Sequence, residues 1–259
     1  MCTAFVRKGN EVIVGFNMDI NIDAFEYKIF KEKDMFYIGI KMNSELELPE
    51  GITLPYSIDS KNGVCKVHGV NSKGNFANML NNMNFSKAKF RMGNDICMHD
   101  QLVEDYISGR CDFDELIRIA NEKDIVGVPK GVVNIPDLAF HSLIADRKGN
   151  IMMLEPGNGY SIIKEKYAAL TNFSILELPA DFNQDRFGYY GKDRYDIAMD
   201  LLRNSDDDFQ VEDGLEILKA TKQEGNWATR VSFVYSNNDN AVYYCLEGDF
   251  DHISKHQFI

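Results

Sequence analysis

Strand-forming runs joined by tight turns fill both ends of the chain, and only two blocks of helical periodicity interrupt them. That order constrains the fold more than any other feature. Residues 3–8 (TAFVRK) and 11–18 (EVIVGFNM) both read as strands, and Gly9-Asn10 supplies a short hairpin turn between them. MFYIGIKM (35–42), GVCKVHGV (63–70) and GNFANMLNNMNF (74–85) add further strand-like runs. The period then changes. ICMHDQLVEDYI (96–107) carries apolar residues at helical spacing and stops at Ser108-Gly109. Asp112 followed by Glu115 has the form of a capping box opening a helix over 113–122. Strands return in AFHSLIADRKGNIMMLEP (139–156) around a turn at Lys148-Gly149-Asn150, and YSIIKEKYAALTNF (160–173) continues them. Helical stretches follow near 192–204 and 211–222. The chain closes in TRVSFVYSNNDNAVYYCLEG (229–248), a hairpin about a polar Asn/Asp turn.

Strands that follow one another through tight turns pair antiparallel. Two helical groups can each cover one outer face of a pair of packed sheets. The expected architecture is a layered α+β domain. With 259 residues, 44% of them apolar, the chain can bury a sizeable core. Glycine and proline are spread thinly and no linker, repeat or low-complexity block divides the chain, so one domain over 1–259 is expected.

A formal net charge of -12 argues against a nucleic-acid partner and against an anionic membrane surface, both of which call for basic patches. The longest acidic run, Asp206-Asp207-Asp208, reads as a solvated turn. No stretch is long and apolar enough to span a bilayer, and no basic segment precedes an apolar one at the start of the chain. The five cysteines (Cys2, Cys65, Cys97, Cys111, Cys245) are odd in number, widely spaced and without a CxxC pair. Together these features point to free thiols and a cytoplasmic location. Cys97 and His99 lack further residues at zinc-ligand spacing, and Cys97 with His141 has no local motif of a papain-like pair.

Cys2 carries the chemistry. Cysteine is small enough for Met1 to be removed, which puts a thiol and a free α-amine on one residue. Their ordinary pKa values are about 8.5 and about 7.7–8.0, so an amine partly neutral near pH 7 can accept the thiol proton and later return it to a leaving amine. Nucleophile and base then share one residue.

Five stretches around this residue carry a resemblance. MCT is followed by a strand, a turn and GFNMD at 15–19. GVNSKGNFANMLN spans 69–81, FHSLIADRKGNIMMLEP spans 140–156, and ALTNFSIL spans 169–176. YYGKDRYDIAMDLL (189–202) is followed by WATRVSFVY (227–235). Together they resemble the choloylglycine hydrolase and penicillin V acylase family of N-terminal nucleophile hydrolases, with its related linear-amide hydrolases and acyltransferases. The resemblance implies a four-layer αββα sandwich of two mainly antiparallel sheets. It implies Cys2 as nucleophile, Asp19 as the carboxylate orienting the α-amine, Asn172 as the principal oxyanion donor with Asn81 assisting, and Arg194 as the active-site arginine. Arg186 in DRFGYYG is the rival for that last role; Arg194 is preferred because Ala198 and Leu201-Leu202 follow it at helical spacing. His141 is not the base in such a site, since the α-amine fills that role, and it reads as a strand histidine.

The implied reaction is hydrolysis of a linear, non-peptide amide C–N bond of a small N-acyl substrate, with no metal or organic cofactor. Acyl transfer through the same acyl-enzyme, or ligand binding without catalysis, are the alternatives. Phe16 and Phe173 are candidate substrate-binding residues, and the Tyr189-Tyr190 pair could line the same apolar acyl pocket. Phe16 also stands where many relatives carry arginine, which removes one cation near the thiol. The interval between Asn172 and Arg194 is short, whereas bile salt hydrolases and penicillin V acylases carry a long insertion there that helps assemble a tetramer. The oligomeric state, homo-oligomer included, and the acyl group therefore stay open. Only Met1 precedes Cys2, so no long propeptide is expected.

Overall fold

The computed structural model describes residues 2–23, 25–42, 65–82, 95–126, 140–176 and 190–259. Met1, Arg186, Tyr189, the side chain of Cys65 and the 83–85 end of the GNFANMLNNMNF run lie outside them.

Two large sheets hold almost every strand. The first contains β1 (Cys2–Lys8), β2 (Val12–Asp19), β13 (Tyr167–Leu170), β14 (Thr229–Ser236), β15 (Ala241–Leu246) and β16 (Ser254–Gln257), in the spatial order β13-β1-β2-β14-β15-β16. The second contains β3 (Phe25–Lys31), β4 (Met35–Met42), β5 (Cys65–Asn71), β6 (Phe76–Ala77), β10 (Phe140–Ala145), β11 (Ile151–Glu155) and β12 (Gly159–Ile163), in the order β12-β11-β10-β6-β5-β4-β3. β7 (Leu80–Asn81) also pairs with β10. Every pairing in these two sheets is antiparallel. A small parallel pair, β8 (Ile96–Met98) with β9 (Asp124–Val126), stands apart.

Side-chain alternation along the strands sorts the core into three slabs. Ala4, Val6, Val14, Phe16 and Met18 of the first sheet face Phe36, Ile38, Val70, Phe76 and Leu143 of the second, forming the slab between the sheets. Phe5, Ile13 and Val234 point the other way, against α3 (Lys192–Asn204) and α4 (Val211–Ala220). Tyr37, Val67, Ile144 and Met152 point outward from the second sheet, against α1 (His99–Ile107) and α2 (Phe113–Glu122). The result is the expected helix–sheet–sheet–helix sandwich. β2, buried at all eight positions, is its central plank. Gly15 on β2 is required by its neighbour: a Cβ there would sit 2.1 Å from the Phe5 ring, which fills the space under α4.

Several sequence readings shift. The helical pattern over 96–107 is a strand in its first three residues, because Ile96–Met98 zips in parallel onto Asp124–Val126 and the helix starts only at His99. YSIIKEKYAALTNF is two strands in different sheets: β12 ends at Ile163 and β13 begins at Tyr167, so Lys164-Glu165-Lys166 carries the chain from one sheet to the other. Of the capping box expected at 112–115 the N-cap half is present, with Asp112 Oδ1 accepting from the Glu115 backbone N–H at 2.9 Å, while the Glu115 carboxylate takes Arg118 instead.

Candidate active site

The antiparallel register brings distant segments to one end of the first sheet. Cys2 opens β1 and faces Met18 at the end of β2, which places Asp19 beside it. On the other flank Ala4 pairs with Leu170 of β13, so Thr171 and Asn172 leave that strand next to the chain start. β14 pairs Thr229 with Asp19, and a bulge between Thr229 and Val231 breaks the register there. Such a bulge re-aims a side chain, and the Thr229 hydroxyl donates to Asp19 Oδ1 at 2.6 Å. Arg194 enters from α3. The Cys2 side chain joins the slab between the sheets, whereas Arg194 meets Thr3 on the opposite, helix-covered face.

Arg194 ties the cluster together. It is 2% exposed. Its Nη1 donates to the Cys2 carbonyl at 2.6 Å and to Thr3 Oγ1 at 2.9 Å, and lies 3.4 Å from Asp19 Oδ2. Its Nη2 donates to Asn172 Oδ1 at 2.8 Å. The same amide oxygen accepts from the Cys2 backbone N–H at 2.8 Å. Two donors on one atom fix which end of the amide is oxygen. The Asn172 Nδ2 therefore points away, and it donates to the Asn81 carbonyl at 2.7 Å. Asn81 arrives through β7, whose pairing sets it opposite Phe140.

Gly191 makes room for the guanidinium. Its φ is +84°, and a Cβ there would lie 2.4 Å from Arg194 Nη2. The glycine preceding a helix start is thus set by the arginine three residues on.

Burial governs the electrostatics. Asp19 has no exposed surface, and burial pushes its carboxyl up to about 7, against the pull of the chain-terminal ammonium, Arg194 and the Thr229 hydroxyl. Burial also pushes the Cys2 thiol up, with the Asp19 carboxylate adding to the rise. The terminal ammonium, the Asp19 backbone N–H and Arg194 pull the thiol the other way. The site holds one acid poised near neutrality beside the Arg194 guanidinium.

Of the residues singled out in the sequence, Cys2, Asp19, Asn172 and Arg194 share direct contacts or a common partner, and Asn81 joins through its backbone carbonyl. Phe16 has no exposed surface; it stacks on His68 at 4.5 Å and packs on Phe233. Phe173 is buried edge-on against Tyr195 of α3, 5.2 Å between centroids, while Tyr190 is half exposed. Arg186 lies outside the described residues. Thr229, the threonine of the WATRVSFVY stretch, joins the site through its hydrogen bond to Asp19.

No protein-family model matches the sequence, and no curated protein matches it. Solved structures do. A mutant of conjugated bile acid hydrolase from Clostridium perfringens superposes with a TM-score of 0.61 at 14% identity, over 98% of this chain and 92% of that one. Penicillin V acylase from Agrobacterium tumefaciens gives 0.58 at 14% identity, over 95% and 83%. The chain has the N-terminal nucleophile hydrolase fold. The clustered residues gather around the start of β1, between β13 and β2. Among the described residues, no helix is long and apolar enough to cross a membrane.

Proposed function

We propose that this chain hydrolyses a linear, non-peptide amide C–N bond of a small N-acyl substrate, with Cys2 as nucleophile once Met1 is removed. The observation that carries the reading is the setting of the Cys2 backbone nitrogen. It lies 2.8 Å from Asn172 Oδ1, in a buried cluster that also holds Asp19 and Arg194. With Met1 gone that nitrogen is the α-amine. The fold shared with a bile acid hydrolase and a penicillin acylase adds support.

The chemistry follows from the geometry. The α-amine takes the thiol proton as sulfur attacks the acyl carbon and a C–S bond forms. Asn172 Nδ2 has two N–H bonds; one goes to the Asn81 carbonyl and the other is left for the tetrahedral oxygen. A donor of that kind is worth about 3–4 kcal/mol of barrier. The C–N bond breaks as the α-ammonium gives its proton to the departing amine. Water, activated by the same amine, then cleaves the thioester. Asp19 and Arg194 hold the amine and the strand start in place. In this reading Phe16, in the slab that the Cys2 side chain joins, shapes the acyl side of the site, while Phe173 packs against Tyr195 of α3.

The test is turnover of a panel of chromogenic N-acyl amides (N-acyl amino acids, bile conjugates and penicillins) by protein whose mass lacks Met1. Activity that disappears in Cys2→Ala supports the reading. Activity that persists in Cys2→Ala refutes the nucleophile. Binding of an N-acyl amide without turnover favours a ligand-binding protein on this fold, and products appearing only with an added amine acceptor favour acyl transfer.

A further inference from the structure

A second buried polar cluster lies directly behind Asn172. Glu155, at the end of β11, is 1% exposed. Its carboxylate accepts from the Ser174 hydroxyl at 2.5 Å and from the Ile175 backbone N–H at 2.7 Å, with the Leu176 N–H at 3.4 Å. His141, fully buried on β10, faces the same carboxylate, Nδ1 to Oε1 at 3.5 Å. The other ring nitrogen, Nε2, donates to the Thr171 carbonyl at 2.6 Å, since a carbonyl can only accept. Thr171 in turn donates its hydroxyl to the Gly191 carbonyl at 2.9 Å, three residues before Arg194.

The loop that carries Asn172 is therefore held at two points. Residues 174–176 bind the Glu155 carboxylate directly, and residue 171 is held by the His141 ring, which packs against the same carboxylate without a hydrogen bond to it. Burying a carboxylate and an imidazole is costly unless both are partnered. The Glu155 carboxylate takes its hydrogen bonds from this loop and from its own turn, where Asn158 Nδ2 lies 3.5 Å from Oε2. The hydrogen bonds and the neighbouring His141 hold the Glu155 carboxyl below its ordinary range despite its burial.

We infer that His141 and Glu155 are positioning residues: a brace that fixes Asn172, and through Thr171 the start of the Arg194 helix, in the geometry the site uses. This rests on the reading of Asn172 as the oxyanion donor, while the brace itself is a structural statement that stands apart from it. A loop is a poor platform for a donor that must be held to about half an ångström. The brace gives that loop the rigidity of the second sheet.

Two readouts separate the claims. With asparagine ¹⁵N-labelled protein, the Asn172 side-chain amide (assigned by its loss in Asn172→Asp) reports the brace whether or not the chain is an enzyme. His141→Ala and Glu155→Gln should shift or broaden it, and His141→Gln, which keeps an N–H donor, should restore it. An Asn172 resonance unmoved in both His141→Ala and Glu155→Gln overturns the inference. Ser174→Ala removes one grip on Glu155 and serves if His141→Ala does not fold: the resonance should move there too, and its constancy counts against the brace. Kinetics then test the role. His141→Ala should lower kcat at least tenfold with KM nearly unchanged. Most of that loss should disappear in an Asn172→Ala background, whereas independent effects would multiply. A kcat loss that multiplies in the double variant overturns the positioning role. If no N-acyl amide is turned over by the parent protein, the functional reading fails and the amide resonance still decides the brace.

Discussion

Replacing Arg194 by methionine tests how the buried cluster is held. The guanidinium supplies hydrogen bonds to the Cys2 carbonyl, Thr3 Oγ1 and Asn172 Oδ1, and a charge 3.4 Å from Asp19. Leaving buried acceptors without donors costs about 1–3 kcal/mol each when water cannot replace them, and stripping a buried charge of its partner costs about 3–5 kcal/mol. The two parts respond differently to pH. Asp19 has its carboxyl pushed up to about 7 from 3.8. A raised acid stabilises the fold when protonated; that stability is complete below its unfolded value near 3.8 and fades as pH rises through about 7. Below 7 Asp19 is neutral and gains little from Arg194. Above 7 it is ionised in the parent protein and driven back to neutrality in the variant. The loss from Arg194→Met should therefore be about 3 kcal/mol at pH 6 and about 1–1.4 kcal/mol larger at pH 8, since one pKa unit is about 1.4 kcal/mol. Urea unfolding followed by circular dichroism at the two pH values, at constant ionic strength, measures both numbers. Asp19→Asn/Arg194→Met serves as the control, in which the pH increment should vanish. An Arg194→Met loss that is the same at both pH values, or an increment that survives in the double variant, refutes the coupling.

Thr229→Val removes the hydroxyl that favours ionised Asp19, so the fall in stability, which levels off above about pH 7 in the parent, should continue to higher pH; a pH–stability profile superimposable on the parent's contradicts this. Gly191→Ala forces a Cβ against Arg194 at a left-handed backbone position; thermal unfolding should show a loss of about 1–3 kcal/mol, and an unchanged midpoint would show that the guanidinium is not confined there. Phe16→Arg places a cation in the slab between the sheets, against His68, whose own ring is pushed down to about 3 by burial. Chemical unfolding should report a loss of about 3–5 kcal/mol, and a stable variant would mean that the slab opens to water at this point.

The fold was legible where the alternation was strong and the turns short. β1, β2, β14 and β15 read directly, because apolar side chains recur on both faces of the first sheet and the hairpins are closed by Gly9-Asn10 and by the polar turn before Ala241, and β4 of the second sheet reads from its own apolar run MFYIGIKM. β3 (FEYKIFK) did not, since its charged residues face solvent at an edge and leave no run to see. β16 (SKHQ) pairs with β15 and carries no apolar pattern. The strand at Ile96–Met98 is set by a partner 28 residues away, beyond any local signal. The site divides in the same way. Cys2, Asp19, Asn172 and Arg194 were visible as motif positions. Thr229 lay in the WATRVSFVY motif stretch but without a role, because only the bulge aims it at Asp19, and the brace was not visible, because His141 and Glu155 meet only when β10 pairs with β11 and both pack behind residue 172.

The central claim is that Cys2, freed of Met1, takes up the acyl group. Rapid quenching of the protein with an activated N-acyl amide, followed by mass analysis of the N-terminal peptide, measures this directly. The account predicts a peptide that begins at Cys2 and gains the mass of one acyl group, labile to hydroxylamine and absent in Cys2→Ala. An N-terminal peptide that retains Met1 throughout an active preparation, or an acyl group found on any other residue, contradicts it.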